Sequence, residues 1–244
     1  MPLPDSRLPA NPPATAATSV ATAPAAARVA LVAGATGLVG RAVLARLLAD
    51  KHYTAVHCVG RRAPAQQDPR LVLHLVDSFR EFAAPPVDDV FIALGTTLKV
   101  AGSREAFRAV DFDAVVAVAC AGRAAGAARL GVISAMGADS NSPVFYNRVK
   151  GEMEAAVVGL GFETVVIARP SLLAGNRASL KQAQRPGEQW ALCAAKWLSP
   201  LIPANYRPVE ADQVARALVK TLQSAGPGHH VLLSGDLRLN HKFI

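Results

Sequence analysis

The sequence predicts a doubly wound α/β fold with a parallel sheet and a small irregular C-terminal cap. Three observations lead to this prediction. Short apolar runs typical of buried strands alternate with helical patterns. A glycine-rich turn joins the first apolar run to the first helix, within Val29–Gly40. Polar groups gather where predicted strands end, and the carboxyl ends of parallel strands share the sheet edge that binds ligands.

Length and composition are those of one large globular unit. The chain has 244 residues, of which 51% are hydrophobic and 18% charged. Residues 1–27 are rich in Pro, Ala and Thr and predict a disordered leader. We expect a single domain over residues 28–234, with the cap at about 171–208 where prolines interrupt helical pieces, and a loose tail over 235–244.

Charge and cysteine content narrow the classes of partner. The three cysteines form neither a metal pattern nor a disulfide framework, which indicates a reducing compartment. The net charge is +8, but the basic residues are scattered and aromatics are 5%, so a phosphorylated ligand is favoured over nucleic acid. The sequence shows neither a secretory signal nor a long apolar run, so we expect a cytoplasmic protein without a membrane partner.

The stretch VALVAGATGLVG has the order strand, glycine turn, helix. Its glycines at 34, 37 and 40 would let a pyrophosphate approach the backbone, and the helix that follows offers unpaired N–H groups and a partial positive charge. The spacing is G-x-x-G-x-x-G, whereas the standard dinucleotide motif is G-x-G-x-x-G. A tight structural turn fits the glycines alone, and the flanking strand and helix favour the phosphate site.

The rest of the chain continues the alternation. Further strands are predicted at Thr54–Val59, Leu71–Val76, Val90–Leu94, Leu130–Ser134, Glu163–Ala168 and Val231–Ser234. Helices are predicted after the first one at Ser103–Ala128, Phe145–Leu160 and Ala211–Leu222. Strands connected in this way form a parallel sheet with right-handed crossovers.

Arg61 and Arg62 follow the second predicted strand, where a dinucleotide-binding fold selects its cofactor. An acid at this position binds the ribose 2′-hydroxyl of NAD, and an arginine accommodates the 2′-phosphate of NADP. Two guanidinium groups can hold a phosphate in a bidentate manner. The pair could also be a solvated part of a loop. We interpret it as favouring NADP(H) over NAD(H).

Tyr146 and Lys150 are four residues apart on a predicted helix and therefore share one face. An ammonium beside a phenol lowers the pKa of the phenol, which makes Tyr146 a candidate general acid toward a carbonyl oxygen. Such a spacing is common and alone has little meaning. Ser134 ends the preceding strand and could donate to the same oxygen, or could simply cap its loop.

Taken together, these motifs resemble the extended or atypical branch of the short-chain dehydrogenase/reductase superfamily, which has a Rossmann-like fold. The residues that carry the resemblance are GATGLVG (Gly34–Gly40), Ser134, Tyr146-x-x-x-Lys150 and Arg169-Pro170. A finer similarity is to the group of the Tat-interacting oxidoreductase homologue. The segments that carry it are LGTTLKVAGSREAFRAVD (Leu94–Asp111), SAMGADSNSPVFYNRVKGEME (Ser134–Glu154) and RPGE (Arg185–Glu188).

The resemblance implies a role for each matching position. Tyr146 would be the acid/base, Lys150 would hold the nicotinamide ribose and tune Tyr146, and Ser134 would orient the substrate carbonyl. The cofactor-binding residues implied are Gly34, Thr36, Gly37, Leu38, Val39 and Gly40 at the pyrophosphate, Arg61 and Arg62 at the 2′-phosphate, Asp77 at the adenine, Gly95 and Thr96 at the ribose, and Pro170 and Leu172 at the nicotinamide.

Two features depart from the family pattern. Many members carry an asparagine on the long helix, and the corresponding residue here is Asp111. The interval from Ser134 to Tyr146 is short, so the loop between them must be compact.

We therefore expect an NADP(H)-dependent oxidoreductase acting on a small carbonyl or alcohol substrate, in a fold that often forms homodimers. The alternatives are an NADP(H)-binding regulatory sensor with little turnover and, less favoured, a sugar-nucleotide epimerase-like enzyme.

Overall fold

The structure is a computed structural model that describes residues 27–174 and 208–239. The predicted leader and most of the predicted cap lie outside the described residues. Within them, no helix is long and apolar enough to cross a membrane.

Seven parallel strands form one sheet, which confirms the predicted doubly wound fold. The strands are β1 (Arg28–Ala33), β2 (Tyr53–Gly60), β3 (Leu71–Leu75), β4 (Asp89–Ile92), β5 (Arg129–Ile133), β6 (Thr164–Arg169) and β9 (Gly228–Leu233). Their order in the sheet is β3-β2-β1-β4-β5-β6-β9. The order reverses between β1 and β4, and a crevice for ligands is expected outside their carboxyl ends. Two short strands, β7 (Leu173–Ala174) and β8 (Val209–Glu210), pair with each other.

Helices cover both faces of the sheet. They are α1 (Leu38–Ala49), α2 (Leu98–Ala101), α3 (Arg104–Arg108), α4 (Ala114–Ala124), α5 (Phe145–Val158), α6 (Ala211–Ser224) and α7 (Ser234–Leu239). The core beneath α1 and α6 contains Ala30 and Val32, whereas the core beneath α4 and α5 contains Leu31 and Ala33. Alternate residues of β1 thus enter opposite cores, which explains why the strand is apolar throughout.

The long helix predicted over Ser103–Ala128 is present over residues 104–124, and the prediction is wrong only in treating it as one regular α-helix, because a π-helical segment interrupts it. Ser103 caps α3 by accepting a hydrogen bond from the Ala106 N–H over 3.1 Å. After α3, one π-helical turn spans Ala109–Asp113 before α4 begins. The wider turn carries Asp111 inward, where only 1% of the residue is exposed. Such π segments are frequent at functional sites.

The expectation of a loose tail over residues 235–244 is also wrong for its first residues, because α7 extends to Leu239. Leu237 of α7 is 1% exposed and packs in the core beneath α1 and α6. The buried Ser234 hydroxyl accepts a hydrogen bond from the Ser171 N–H over 2.7 Å. This helix therefore anchors the loop that follows β6, at the edge of the sheet where the candidate site lies.

Candidate active site

The glycine turn after β1 is built so that only glycine fits at two of its positions. Gly34 has a φ of +88°, and a Cβ at this residue would lie 2.5 Å from the Ala93 carbonyl oxygen. A Cβ on Gly40 would collide with the carbonyl oxygen of Gly34. These contacts bring the start of α1 close to the loops that follow β1 and β4.

The first turn of α1 carries neither an acidic side chain nor a side-chain cap. Its N-cap is Gly37, whose N–H donates to the Gly34 carbonyl over 2.9 Å. The free N–H groups of such a helix start, together with the helix dipole, form a site for an anion. The residues present therefore fit the pyrophosphate of a dinucleotide.

A cavity of about 340 Å³ adjoins this turn and brings together several predicted cofactor residues. Five of the cofactor residues predicted from the sequence line the cavity: Gly34, Thr36, Arg61, Arg62 and Asp77. Both arginines are exposed at the end of β2. Arg80 also lines the cavity and was not predicted from the sequence. Arg61 directly follows β2, whereas Arg80 lies in a 3-10 helix (Phe79–Glu81) beyond the end of β3, so its position in the sequence gave no comparable signal.

Other predicted cofactor residues lie beside this cavity without lining it. Leu38 begins α1, and the Val39 side chain is buried in the core, so only backbone groups of Val39 are suited to a phosphate. Gly95 and Thr96 follow β4 and lie against Asp111. The Thr96 N–H donates to Asp111 Oδ2 over 2.8 Å, and a Cβ on Gly95 would lie 3.3 Å from Asp111 Oδ1.

Lys150 forms a buried ion pair with Asp111. The distance from Lys150 Nζ to Asp111 Oδ1 is 2.7 Å, and the two side chains are 4% and 1% exposed. Asp111 therefore connects α5 to the loop after β4. Asp111 departs from the family pattern in sequence, but its pairing with Lys150 was not predicted.

The expectation that Lys150 lowers the pKa of Tyr146 is wrong for this arrangement. Burial and the negative charge of Asp111 raise the pKa of Tyr146 to about 12. The Lys150 charge is already balanced by a carboxylate 2.7 Å away. The Tyr146 ring also packs on the ring of Phe107, with 5.3 Å between centroids. Tyr146 is therefore a phenol at neutral pH, a form that can donate a proton.

Ser134 lies just after β5, and its N–H donates to the Ala168 carbonyl over 2.8 Å. The residue is 5% exposed, and in the part of the chain that the structure describes its hydroxyl has no hydrogen-bond partner. A buried hydroxyl without a partner is uncommon and is suited to a ligand.

The loop after Ser134 is compact, as its short length required. A Cβ on Gly151 of α5 would collide with the backbone of Asp139 and Ser140. The Asp139 N–H donates to the Asn147 carbonyl over 3.1 Å. This packing holds the loop against the helix that carries Tyr146.

Pro170 and Leu172 lie on the loop that follows β6. Pro170 is buried and its carbonyl accepts a hydrogen bond from the Met136 N–H over 3.0 Å, which ties this loop to the loop after Ser134. Leu172 is 48% exposed, and its carbonyl accepts from the Val209 N–H over 2.9 Å.

The chain is similar in sequence to a family model and to named proteins. A model of the NAD dependent epimerase/dehydratase family matches residues 30–134. The protein named fmp52, mitochondrial, from Emericella nidulans is 39% identical over 203 residues, covering 79% of this chain and 86% of that protein. The resemblance to the broad superfamily is confirmed. The finer resemblance to the Tat-interacting group is not confirmed, since the curated relatives found here are named Fmp52.

Solved structures share the fold at low sequence identity. A short-chain dehydrogenase family protein from Francisella tularensis is 15% identical with a TM-score of 0.63, over 87% of this chain and 100% of that chain. A short-chain dehydrogenase/reductase superfamily protein from Agrobacterium tumefaciens, solved with bound NAD, is 18% identical with a TM-score of 0.61, over 84% of this chain and 77% of that chain.

The expected cytoplasmic location is wrong. The curated relatives from several fungi are named as mitochondrial proteins. The expectation rested on the missing secretory signal and apolar segment, and neither observation distinguishes the cytoplasm from an organelle.

Proposed function

The chain belongs to the Fmp52 family, and on that premise we propose that it is an NADP(H)-dependent oxidoreductase acting on a small carbonyl or alcohol substrate. The observation that carries this proposal is that two sets of residues lie at the same edge of the sheet, where the parallel strands end. One is a glycine turn and helix start suited to pyrophosphate, and the other consists of Tyr146 and Lys150 on α5 and Ser134 at the end of β5. The solved neighbour with bound NAD supports a nicotinamide cofactor.

The cavity beside the glycine turn favours NADP(H). Arg61, Arg62 and Arg80 all line it. Arg80 is paired with Asp113 at 3.6 Å and its side chain is 76% exposed. A 2′-phosphate carries up to two negative charges, and guanidinium groups bind it through charge-assisted hydrogen bonds. Asp77 lines the same cavity but follows β3, not β2, so it does not take the place of the NAD-selecting acid.

The chemistry proposed for the chain's own residues is proton transfer and orientation. A bound reduced nicotinamide would supply the hydride. Tyr146 donates its proton to the substrate oxygen as negative charge develops there. The unpartnered Ser134 hydroxyl donates a second hydrogen bond to that oxygen. Lys150 forms an ion pair with Asp111, and its ammonium N–H donors are proposed to bind the ribose hydroxyls.

Two other functions have an observation in their favour. The Asp111–Lys150 pair balances the charge that would activate Tyr146 as a base, which suits a cofactor sensor with little turnover. The match to the epimerase/dehydratase family model favours an enzyme acting on sugar nucleotides. A sensor would bind NADPH without oxidising it in the presence of any carbonyl. An epimerase would bind a UDP-sugar and return its cofactor unchanged.

The experiment that tests the proposal measures cofactor affinity and turnover with the same protein. Titration with NADPH and NADH, followed by nicotinamide fluorescence, should give tighter binding of NADPH. Incubation with aldehydes, ketones and quinones should then give NADPH oxidation with at least one compound. Equal affinities would contradict the NADP preference, and binding without any oxidation would favour the sensor.

A further inference from the structure

Asp111 is a buried carboxylate with both oxygens engaged. Oδ1 lies 2.7 Å from Lys150 Nζ, and Oδ2 accepts a hydrogen bond from the Thr96 N–H over 2.8 Å. The π turn between α3 and α4 brings the residue to this position, where it is 1% exposed. Asp111 is thereby held by two separate elements and cannot turn away from Lys150 without losing a backbone hydrogen bond.

The charged groups around Tyr146 are few in the described part of the chain. Asp111 faces it from the π turn, and Lys150 lies one turn along its own helix. From α3 the contact is the uncharged ring of Phe107. Arg108, also on α3, is engaged elsewhere, with the carboxylate of Glu152. The charge balance at the phenol is therefore set by the Asp111–Lys150 pair.

An isolated ammonium beside a phenol favours the phenolate, whereas a carboxylate beside it favours the phenol. In a buried site both effects are stronger than in water. The two charges of the pair lie 2.7 Å apart, so the carboxylate offsets the effect of the ammonium on a neighbouring group. Burial of the ring and the negative charge of Asp111 both favour the neutral phenol, and they raise the pKa of Tyr146.

We propose that Asp111 is a positioning residue that neutralises Lys150 and keeps Tyr146 protonated, so that the site is arranged for carbonyl reduction. This inference rests on the proposed function for its chemical meaning. In that direction the carbonyl carbon accepts a hydride from the reduced nicotinamide dinucleotide, and the carbonyl π electrons move onto oxygen. The oxygen takes the Tyr146 proton, and the resulting phenolate recovers a proton from water. Alcohol oxidation would need the phenolate at the start, and Asp111 disfavours that form.

The test is a spectroscopic titration of Tyr146 that needs no turnover. The near-ultraviolet absorbance of phenolate is recorded from pH 7 to 11 for the full chain, and the curve of Tyr146→Phe is subtracted to isolate this tyrosine. The unaltered protein should show no Tyr146 transition in this range. Asp111→Asn keeps the side-chain shape and removes the charge, and should lower the Tyr146 transition by roughly 1 to 3 units.

Overlapping curves for the unaltered protein and Asp111→Asn would overturn the proposal, as would a Tyr146 transition midpoint within the measured range in the unaltered protein. Asp111→Ser serves as the second variant if circular dichroism shows that Asp111→Asn does not fold, with the same expectation. A parallel measurement follows NADPH oxidation by the unaltered protein, whose rate should stay level from pH 6 to 9. If NADPH is not oxidised at all while Asp111→Asn shifts the titration, the proposed function fails and the positioning role stands.

Discussion

Lys150 Nζ lies 2.7 Å from Asp111 Oδ1, and neither side chain has more than a few per cent of its surface exposed. Two buried charges so close stabilise the fold only as a pair, since each has given up its hydration. The same contact places the ammonium on the face of α5 that also carries Tyr146, so that structural stability and site chemistry depend on one ion pair.

Loss of one partner should therefore destabilise the protein strongly. Lys150→Met leaves the Asp111 carboxylate buried without its cation, and we expect the free energy of unfolding to fall by about 3–5 kcal/mol. Urea denaturation followed by circular dichroism measures this change. The control is Lys220→Met on the exposed face of α6, which should change stability by less than about 0.5 kcal/mol. Equal effects of the two substitutions would contradict the importance of the pair.

The arginines after β2 should determine the preference for NADPH. Arg61→Ala combined with Arg62→Ala should weaken NADPH binding by roughly 100-fold, because hydrogen bonds to charged groups are each worth about 1.5–3 kcal/mol. NADH binding should change little. The control is Arg123→Ala, since this arginine donates to the Gly161 carbonyl away from the cavity. An equal loss for both cofactors would show that the arginines do not recognise the 2′-phosphate.

Gly151 should be required for the compact loop between Ser134 and Tyr146. A methyl group at Gly151 would overlap the backbone of Asp139, so Gly151→Ala should cost about 1–3 kcal/mol of stability. Gly159→Ala, near the end of the same helix, is the matched control. At Gly159 a Cβ would meet its nearest atom at 3.4 Å and φ is −70°, so alanine should be tolerated. Thermal unfolding of both variants makes the comparison, and equal melting temperatures would refute the steric argument.

The histidine pair on β2 and β3 should make stability depend on pH. His57 Nδ1 lies 2.9 Å from His74 Nε2, and burial together with His74 lowers the pKa of His57. The unfolded chain therefore binds a proton more readily, so stability should decrease as pH falls below the unfolded value of about 6.5.

Substitution of His57 should remove part of that pH dependence. Urea unfolding at pH 7.5 and at pH 5.5 should differ less for His57→Gln than for the unaltered protein. His229→Gln, at an exposed position of β9, is the control and should leave the difference as it was. A difference that is unchanged in His57→Gln would exclude this pair as the cause.

Features that depend on residues close together in the sequence were predictable from it. The glycine turn, the order of strands and helices, and the shared face of Tyr146 and Lys150 all follow from local patterns, and the structure has them. The compactness of the loop after Ser134 followed from its length alone.

Features that depend on contacts between residues far apart in the sequence were not predictable. Asp111 reaches Lys150 only because one π turn interrupts the helix, and nothing in the helical periodicity distinguishes such a turn from a continuous helix. The pKa of Tyr146 was misjudged for this reason, since the expectation included Lys150 and omitted Asp111. Likewise, the α7 side chains that the structure describes include one deeply buried leucine, Leu237, which is too little to give a periodic signal.

We propose above that Tyr146 transfers a proton beside a bound NADPH. The most direct test compares NADPH oxidation by the unaltered protein and by Tyr146→Phe, with the carbonyl compound that reacts fastest. Phenylalanine keeps the ring that packs on Phe107 and removes only the hydroxyl. We expect a loss of turnover of about 100-fold or more with NADPH affinity unchanged. Turnover by Tyr146→Phe equal to that of the unaltered protein would contradict it.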